Sequence, residues 1–262
     1  MSKPSILLVP GSFALPEFYE PVINAVAEKG YEIQGLHKPS VGPTSGKARE
    51  GVAPPTMYDD AAFIAGEVEK LANQGKDVIL LAHSYGGVPV TQSTKGLSKK
   101  ERQREGKEGG IVNLAYMTCL VPAVGQTAKD VLATVPQEQQ LDLKIDENGW
   151  MYHDPVEASA ALVFSDIPKE EGEAWIRKFP RHSSLSFIGE VTHAGYKDIP
   201  VSYLLCENDL CIPANVQRDG IDLVEKESGR KVDVTSIKAD HCPMAAQPEV
   251  VIEWILNVAA KY

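Results

Sequence analysis

The chain has 262 residues, 43% hydrophobic and 24% charged, with 26 Lys and Arg against 36 Asp and Glu for a formal net charge of −10. That composition suits a globular chain with a full core, and its acidic balance excludes a binder of nucleic acid phosphates, which needs clustered cations on one face. The apolar run before Pro10 is only Ile6 to Val9, too short for a signal-peptide core or a spanning helix, so no membrane partner and a cytoplasmic location are expected.

In chain order, short β-rich runs alternate with segments of helical apolar spacing, which predicts an α/β fold with a mostly parallel sheet covered by helices. Six parallel strands are expected, at Ser5–Val9, Tyr31–Leu36, Asp77–Ala82, Ile111–Leu120, Val201–Cys206 and Val232–Ile237. Between the first two, Phe18, Val22, Ile23 and Val26 repeat at helical spacing and Gly30 follows as a stop. Thr56 with Asp59 three residues on predicts the cap of a helix from Tyr58 to Asn73, with Gly75 beyond its end. A last helix is expected over Met244–Ala260.

Three stretches interrupt this alternation. The Gly/Pro-rich run Val41–Pro55 and the charge-dense run Lys95–Gly110 both read as solvated surface. Residues 122–199 are longer than a crossover requires and carry Trp150, Phe164, Trp175, Phe179 and Phe187. They predict a helical cap over the sheet's C-terminal edge, where open α/β sheets bind ligands. The resulting division is a core in two parts, 1–121 and 200–262, with the cap at 122–199.

The sharpest local signal is AHSYGG, Ala82 to Gly87, directly after the apolar strand VILLA. A serine on a sharp turn between a strand and a helix requires small residues two before and two after it, and Ala82 and Gly86 meet that need around Ser84. A serine hydroxyl is a poor nucleophile at neutral pH, so it needs a base in reach and an anion to orient that base. The strand VSYLLC leads into ENDLCIP and places Asp209 just past its end; VDVTSI leads into KADHCPM and places His241 in the next such loop. Glu207 and Asp240 are rival acids. His83, His153, His182 and His193 are rival bases, of which His83 reads as a packed residue of the turn and the others as cap or surface groups. The backbone N–H groups of Tyr85 and Ser12 would form an oxyanion hole, with Phe13 as the alternative second donor, each donor contributing about 3 kcal/mol in the transition state. Phe13, Leu120 and Met244, which flank these loops, are candidate substrate-binding walls.

With LLVPGSF, AHSYGG, RHSSLSF, CENDLCIP and ADHCPM in place, the chain resembles the α/β-hydrolases over nearly its whole length, and among them the plant methylesterase and hydroxynitrile lyase group with its fungal and bacterial relatives. Pro10 stands where relatives carry a histidine. The resemblance implies that the lyases use a lysine directly after the histidine and a threonine in the first loop; Cys242 and Gly11 occupy those places here, which favours ester hydrolysis. A homodimer is implied by analogy alone.

The expected function is therefore a serine hydrolase acting on a small-molecule carboxylic ester, an aromatic or lactone-type metabolite, through an acyl-enzyme. No cofactor is expected, and with no HExxH and no CxxC among six histidines and four cysteines no metal either. The alternatives are a carbon–carbon hydrolase or lyase using the same groups, and a small-molecule receptor with vestigial turnover.

Overall fold

Aliphatic runs without polar interruption become the middle of a sheet because both of their faces are covered. The computed structural model describes residues 3–262. Its main sheet comprises β1 (Ser5–Val9), β2 (Ile33–Gly35), β3 (Asp77–His83), β4 (Gly110–Met117), β5 (Val201–Cys206) and β6 (Asp233–Ile237). All neighbours pair parallel, in the spatial order β2-β1-β3-β4-β5-β6. Alternate residues face opposite sides: Ile6, Leu8, Ile79 and Leu81 join one buried cluster, while Leu7, Val9, Val78 and Leu80 join the other. No helix among the described residues is long and apolar enough to cross a membrane.

The expected six-stranded parallel sheet is present, with β2, β4 and β6 shorter than expected and β3 one residue longer. β2 keeps only three of the six expected residues, as befits a half-buried edge. β4 ends at Met117, not Leu120, because Thr118 takes φ 47° and turns the chain.

The helices follow their end signals. α1 (Glu20–Glu28) stops before Gly30 at φ 80°, and α2 (Met57–Ala72) carries the Thr56–Asp59 capping box. A single turn, Ser84–Gly86, leads from β3 into α3 (Gly87–Gln92). The charged insertion is not simply solvated: it folds α4 (Lys99–Arg104), and Arg102 is buried with its guanidinium on the carbonyls of Glu108 and Gly109 and on Asn73.

The cap is not purely helical. It holds α5 (Val156–Val163), α6 (Lys169–Lys178) and a three-stranded antiparallel sheet of Leu143–Ile145, Trp150–His153 and His182–Ser183. Met151, Val163, Phe164 and Ile176 pack in the same cluster as Ile6 and Leu8, so cap and sheet share one core. The run Val41–Pro55 is tied to this cap too: Gly42 and Gly46 donate to the carbonyls of Arg181 and Phe179, and Arg181 N–H donates to Lys47.

After α7 (Ala214–Ser228), the expected last helix comes in two pieces, a turn at Pro243–Ala246 and α8 (Pro248–Ala259). Pro248 disfavours helical backbone at the residue before it, and Gln247 accordingly sits at φ −140°.

Candidate active site

Ser84 leaves β3 at φ 54°, in the left-handed region that a side chain rarely adopts. Close packing enforces this turn. A Cβ on Gly86 would stand 2.6 Å from the carbonyl oxygen of Val9 and 2.8 Å from that of Pro10. Phe13 after β1 and Thr118 after β4 also have positive φ, at 55° and 47°. The three non-glycine residues in that region among the described residues thus lie after the C-terminal ends of the adjacent strands β1, β3 and β4.

Two further loops meet there. Ser84 Oγ lies 2.9 Å from Nε2 of His241, and His241 Nδ1 lies 2.7 Å from Oδ2 of Asp209. All three side chains are buried. Asp209 Oδ1 accepts the backbone N–H groups of Cys211 and Ile212, both at 2.8 Å, and Gln217 Nε2 donates to Oδ2 at 3.3 Å. Burial by itself pulls the His241 imidazole down, but the Asp209 carboxylate, aided by the Cys211 thiol, outweighs it and raises the pKa well above 6.5.

The rival acids point elsewhere. Glu207 accepts the Ser236 hydroxyl on the surface. Asp240 accepts the N–H of Cys242 at 2.9 Å and that of Asp166 at 3.0 Å, while Asp240 N–H returns to the Asp166 carboxylate at 2.8 Å. That reciprocal pair fastens the histidine loop to the cap.

Among the rival bases, His83 is packed as expected, with a role the sequence did not disclose. Its Nε2–H donates to the carbonyl of His241 at 2.8 Å, so Nδ1 must accept from Tyr19 O–H at 2.7 Å, and Tyr19 in turn accepts Gly11 N–H at 3.1 Å. Burial, then repulsion from His241, holds His83 well below 6.5. His182 is fully buried in the cap with Nε2 against Ser40 and Ser186, and burial lowers it in the same way. His153 is brought to about 4 by burial and stacks edge-on to Phe13. His193 is about half-buried and donates its backbone N–H to Gln92.

Ser12 and Tyr85 flank Ser84. Among the described residues, neither backbone N–H donates to a protein acceptor. Behind them lies a buried polar group that no sequence signal announced. Lys38, 2% exposed, donates from Nζ to the carbonyls of Pro10 at 2.8 Å and Gly11 at 3.0 Å. Asp60 accepts Ser40 N–H, Ser40 Oγ–H and Tyr85 O–H. Burial lowers the Lys38 ammonium to about 8 against the pull of Asp60, and burial raises Asp60 against the pull of Lys38.

Two cavities meet at Ser84, sharing Ser12, Phe13, Leu141 and Cys211 as common walls. The smaller has about 40 Å³ of free space beside His241, closed by Phe18, Phe164, Trp175, Phe179 and Met244. The larger has about 230 Å³ and runs past Tyr85, Leu120, Leu132, Val135, Phe187 and Ile212. Phe13 thus lines both cavities, Leu120 the larger and Met244 the smaller. Of Trp150, Phe164, Trp175, Phe179 and Phe187, only Trp150 lines neither, buried within the cap itself.

A serine on a strained strand-to-helix turn, met by an aspartate and a histidine from two later strand ends, recurs across one large family, and that family's model matches residues 6–254. The chain belongs to the alpha/beta hydrolase family. This α/β-hydrolase is 32% identical over 259 residues to "Probable hydrolase R7" of Phoma sp., covering 99% of each chain. It is 26% identical over 221 residues to methylesterase 9 of Arabidopsis thaliana, covering 79% of this chain and 80% of that one. These relatives place it with the plant methylesterase-like group and its fungal relatives. Among solved structures it superposes on a pyrethroid hydrolase from Sphingobium faniae JZ-2 with a TM-score of 0.76 over the whole of both chains, at 22% identity, a likeness of fold.

Proposed function

We propose that this α/β-hydrolase cleaves a small carboxylic ester through an acyl-enzyme on Ser84. Ser84 Oγ attacks the acyl carbon as His241 Nε2 takes its proton; Asp209 holds the imidazole in the needed tautomer and stabilises its charged form. The N–H groups of Ser12 and Tyr85 receive the oxyanion. The imidazolium then gives its proton to the leaving alcohol, and the same nitrogen activates the water that releases the acid.

The observation that carries this reading is the unbroken relay of 2.9 Å from Ser84 to His241 and 2.7 Å from His241 to Asp209, opening on two apolar cavities. The cavities also suggest how the ester lies. The leaving oxygen must sit next to His241 Nε2 to be protonated, and the smaller cavity is the one His241 lines. The alcohol part is therefore small, and the acyl part, aromatic or branched, takes the larger cavity beyond Tyr85 and Leu120.

Steady-state hydrolysis of short aryl and methyl esters tests the proposal. Wild type should turn them over, and Ser84→Ala should lose about 10⁶-fold in kcat, since removing the nucleophile removes the covalent route. Turnover by Ser84→Ala within tenfold of wild type would overturn it.

A further inference from the structure

Lys38 is a charged residue taken wholly out of water, and burying an ammonium costs several kcal/mol unless something compensates. Its two acceptors are neutral carbonyls, those of Pro10 and Gly11. Those carbonyls are not arbitrary. The Gly11 carbonyl belongs to the same peptide unit as the N–H of Ser12.

A trans peptide is planar, with its C=O and N–H pointing in opposite directions. A donor held on the Gly11 oxygen therefore turns the Ser12 N–H to the far side, away from Lys38. The preceding peptide shows this relation with both ends occupied: Pro10 C=O accepts from Lys38 at 2.8 Å, and Gly11 N–H donates the other way, to Tyr19 Oη at 3.1 Å. Gly11, Tyr19 and Ser12 all line the cavity that contains Ser84. A cationic donor on a carbonyl also draws electron density from the attached N–H, making it a stronger donor.

The geometry points to Lys38 as a positioning residue that aims and strengthens the Ser12 N–H as an oxyanion donor, by holding the carbonyl end of the Gly11–Ser12 peptide. This rests on the hydrolase mechanism proposed above and goes beyond it, since Lys38 touches neither the nucleophile nor a reacting atom. It also assigns the second donor to Ser12 over Phe13, whose peptide Lys38 does not hold. The other half of the hole is fastened to the opposite charge: Tyr85, whose N–H is the first donor, anchors its hydroxyl on Asp60 at 3.1 Å. Two buried side chains, Lys38 and Asp60, thus brace the two donors from behind.

The titratable groups facing Lys38 are Asp60 on α2, His83 at the end of β3 and His182 in the cap, with Tyr85 beyond Asp60. Burial keeps both histidines neutral above pH 6.5 and keeps Tyr85 protonated well above 10. Burial raises the Asp60 carboxyl, and the Lys38 ammonium opposes that rise.

The test compares an oxyanion mimic with a substrate. An aryl trifluoromethyl ketone should form a hemiketal when Ser84 Oγ adds to its carbonyl carbon and the hydroxyl proton moves to His241 Nε2, which leaves an oxyanion in the hole. In Lys38→Met, the inhibition constant of this ketone and kcat for an aryl ester should each worsen by about tenfold, while KM stays within twofold. Lys38→Met combined with Asp60→Asn removes the leftover carboxylate and, because Asp60 also anchors Tyr85, should lose at least as much ketone affinity, so a folding defect in the single variant does not end the test. Charge is separated from simple loop support by pH. The ratio of variant to wild-type inhibition constants, in which the His241 titration cancels, should fall as pH rises through about 8, where wild-type Lys38 loses its charge while keeping its donors. Ketone affinity unchanged in the folded double variant, KM and ketone affinity weakened alike, or a ratio flat with pH would each overturn the role of Lys38. A wild-type protein that forms no adduct would overturn the hydrolase mechanism itself, and this inference with it.

Discussion

The imidazole of His83 donates through Nε2 to the carbonyl oxygen of His241 at 2.8 Å, so the residue preceding Ser84 fixes the backbone of His241. On its other side His83 accepts from Tyr19, which accepts from Gly11. The first loop, the strained turn and the histidine loop are thereby joined through neutral, buried groups. Thr118 adds a second, longer hydrogen bond to the same carbonyl at 3.4 Å.

His83→Leu leaves the Tyr19 hydroxyl and the His241 carbonyl short of a buried partner. The expected loss is about 2 kcal/mol of stability, from the cost of an unsatisfied buried polar group. The loss of alignment should lower kcat by about tenfold or more with little change in KM. Urea denaturation read beside steady-state kinetics checks both. His83→Leu with wild-type stability and kcat would show that the relay has no such part.

Two aspartates lie beside His241, and their surroundings separate them. Asp209 faces Nδ1 of His241, whereas Asp240 bonds to the backbone of Asp166 and Cys242. Asp209→Asn should cut kcat by about 10⁴-fold, because the amide no longer stabilises the imidazolium and favours the wrong tautomer. Asp240→Asn keeps an acceptor for the cap and should retain activity within about tenfold, its effect being mainly on stability. Equal losses in the two variants would contradict this assignment.

The pH profile follows from the Asp209 pair. A general base must be neutral, so kcat/KM should rise with pH through the pKa of His241 in the free enzyme, and that limb should lie above the ordinary histidine value of 6.5. Weakening the anion with Asp209→Asn should move the limb to lower pH in whatever activity remains. A wild-type limb below 6.5 would contradict the raised pKa.

Stability should respond to acid in the opposite sense through the other histidines. His83, His153 and His182 are held below 6.5 by burial, with His153 at about 4. The unfolded chain binds their protons first as pH falls, so stability is complete above 6.5 and declines from there toward 4, by up to about 1.4 kcal/mol per pH unit for each group. Urea midpoints between pH 7 and pH 4 measure this decline. A midpoint unchanged down to pH 5 would show that these imidazoles are accessible to protons in the folded state.

Ester selectivity tests the two cavities. With the acyl group fixed, lengthening the alcohol from methyl to butyl should lower kcat/KM by about 10- to 100-fold, the equivalent of 1–3 kcal/mol of overpacking in the chamber beside His241. Trp175→Ala opens that chamber and should restore the longer alcohols selectively. If lengthening the acyl part proves as harmful as lengthening the alcohol, the ester lies the other way round.

Much of this was visible along the chain because strong local signals coincide with the fold. The aliphatic runs at Ile6–Val9 and Val78–Ala82 are buried on both faces, and the Thr56–Asp59 cap and the small residues around Ser84 impose their own geometry. Asp209 and His241 were legible because each follows a strand and so emerges on the same edge as Ser84. What stayed hidden depends on contacts between distant segments. Lys38 sits in a short polar stretch between Leu36 and Ser40 with no spacing that marks it as buried, yet Arg49 donates to the carbonyls of Lys38, Pro39 and Val41 and holds that stretch in place. Gln217 lies on an amphipathic helix, with nothing in its spacing to suggest a partner in Asp209. The cap's small sheet escaped because its strands are two to four residues long, below the length at which alternation can be seen.

The most direct measurement is covalent labelling with an organophosphate followed by mass mapping. One phosphoryl group per chain should appear on Ser84, in step with the loss of esterase activity, and pre-incubation with an ester substrate should slow it. A label on any other residue, such as Cys211 in the cavity wall, or full activity after stoichiometric labelling of Ser84, would contradict the mechanism.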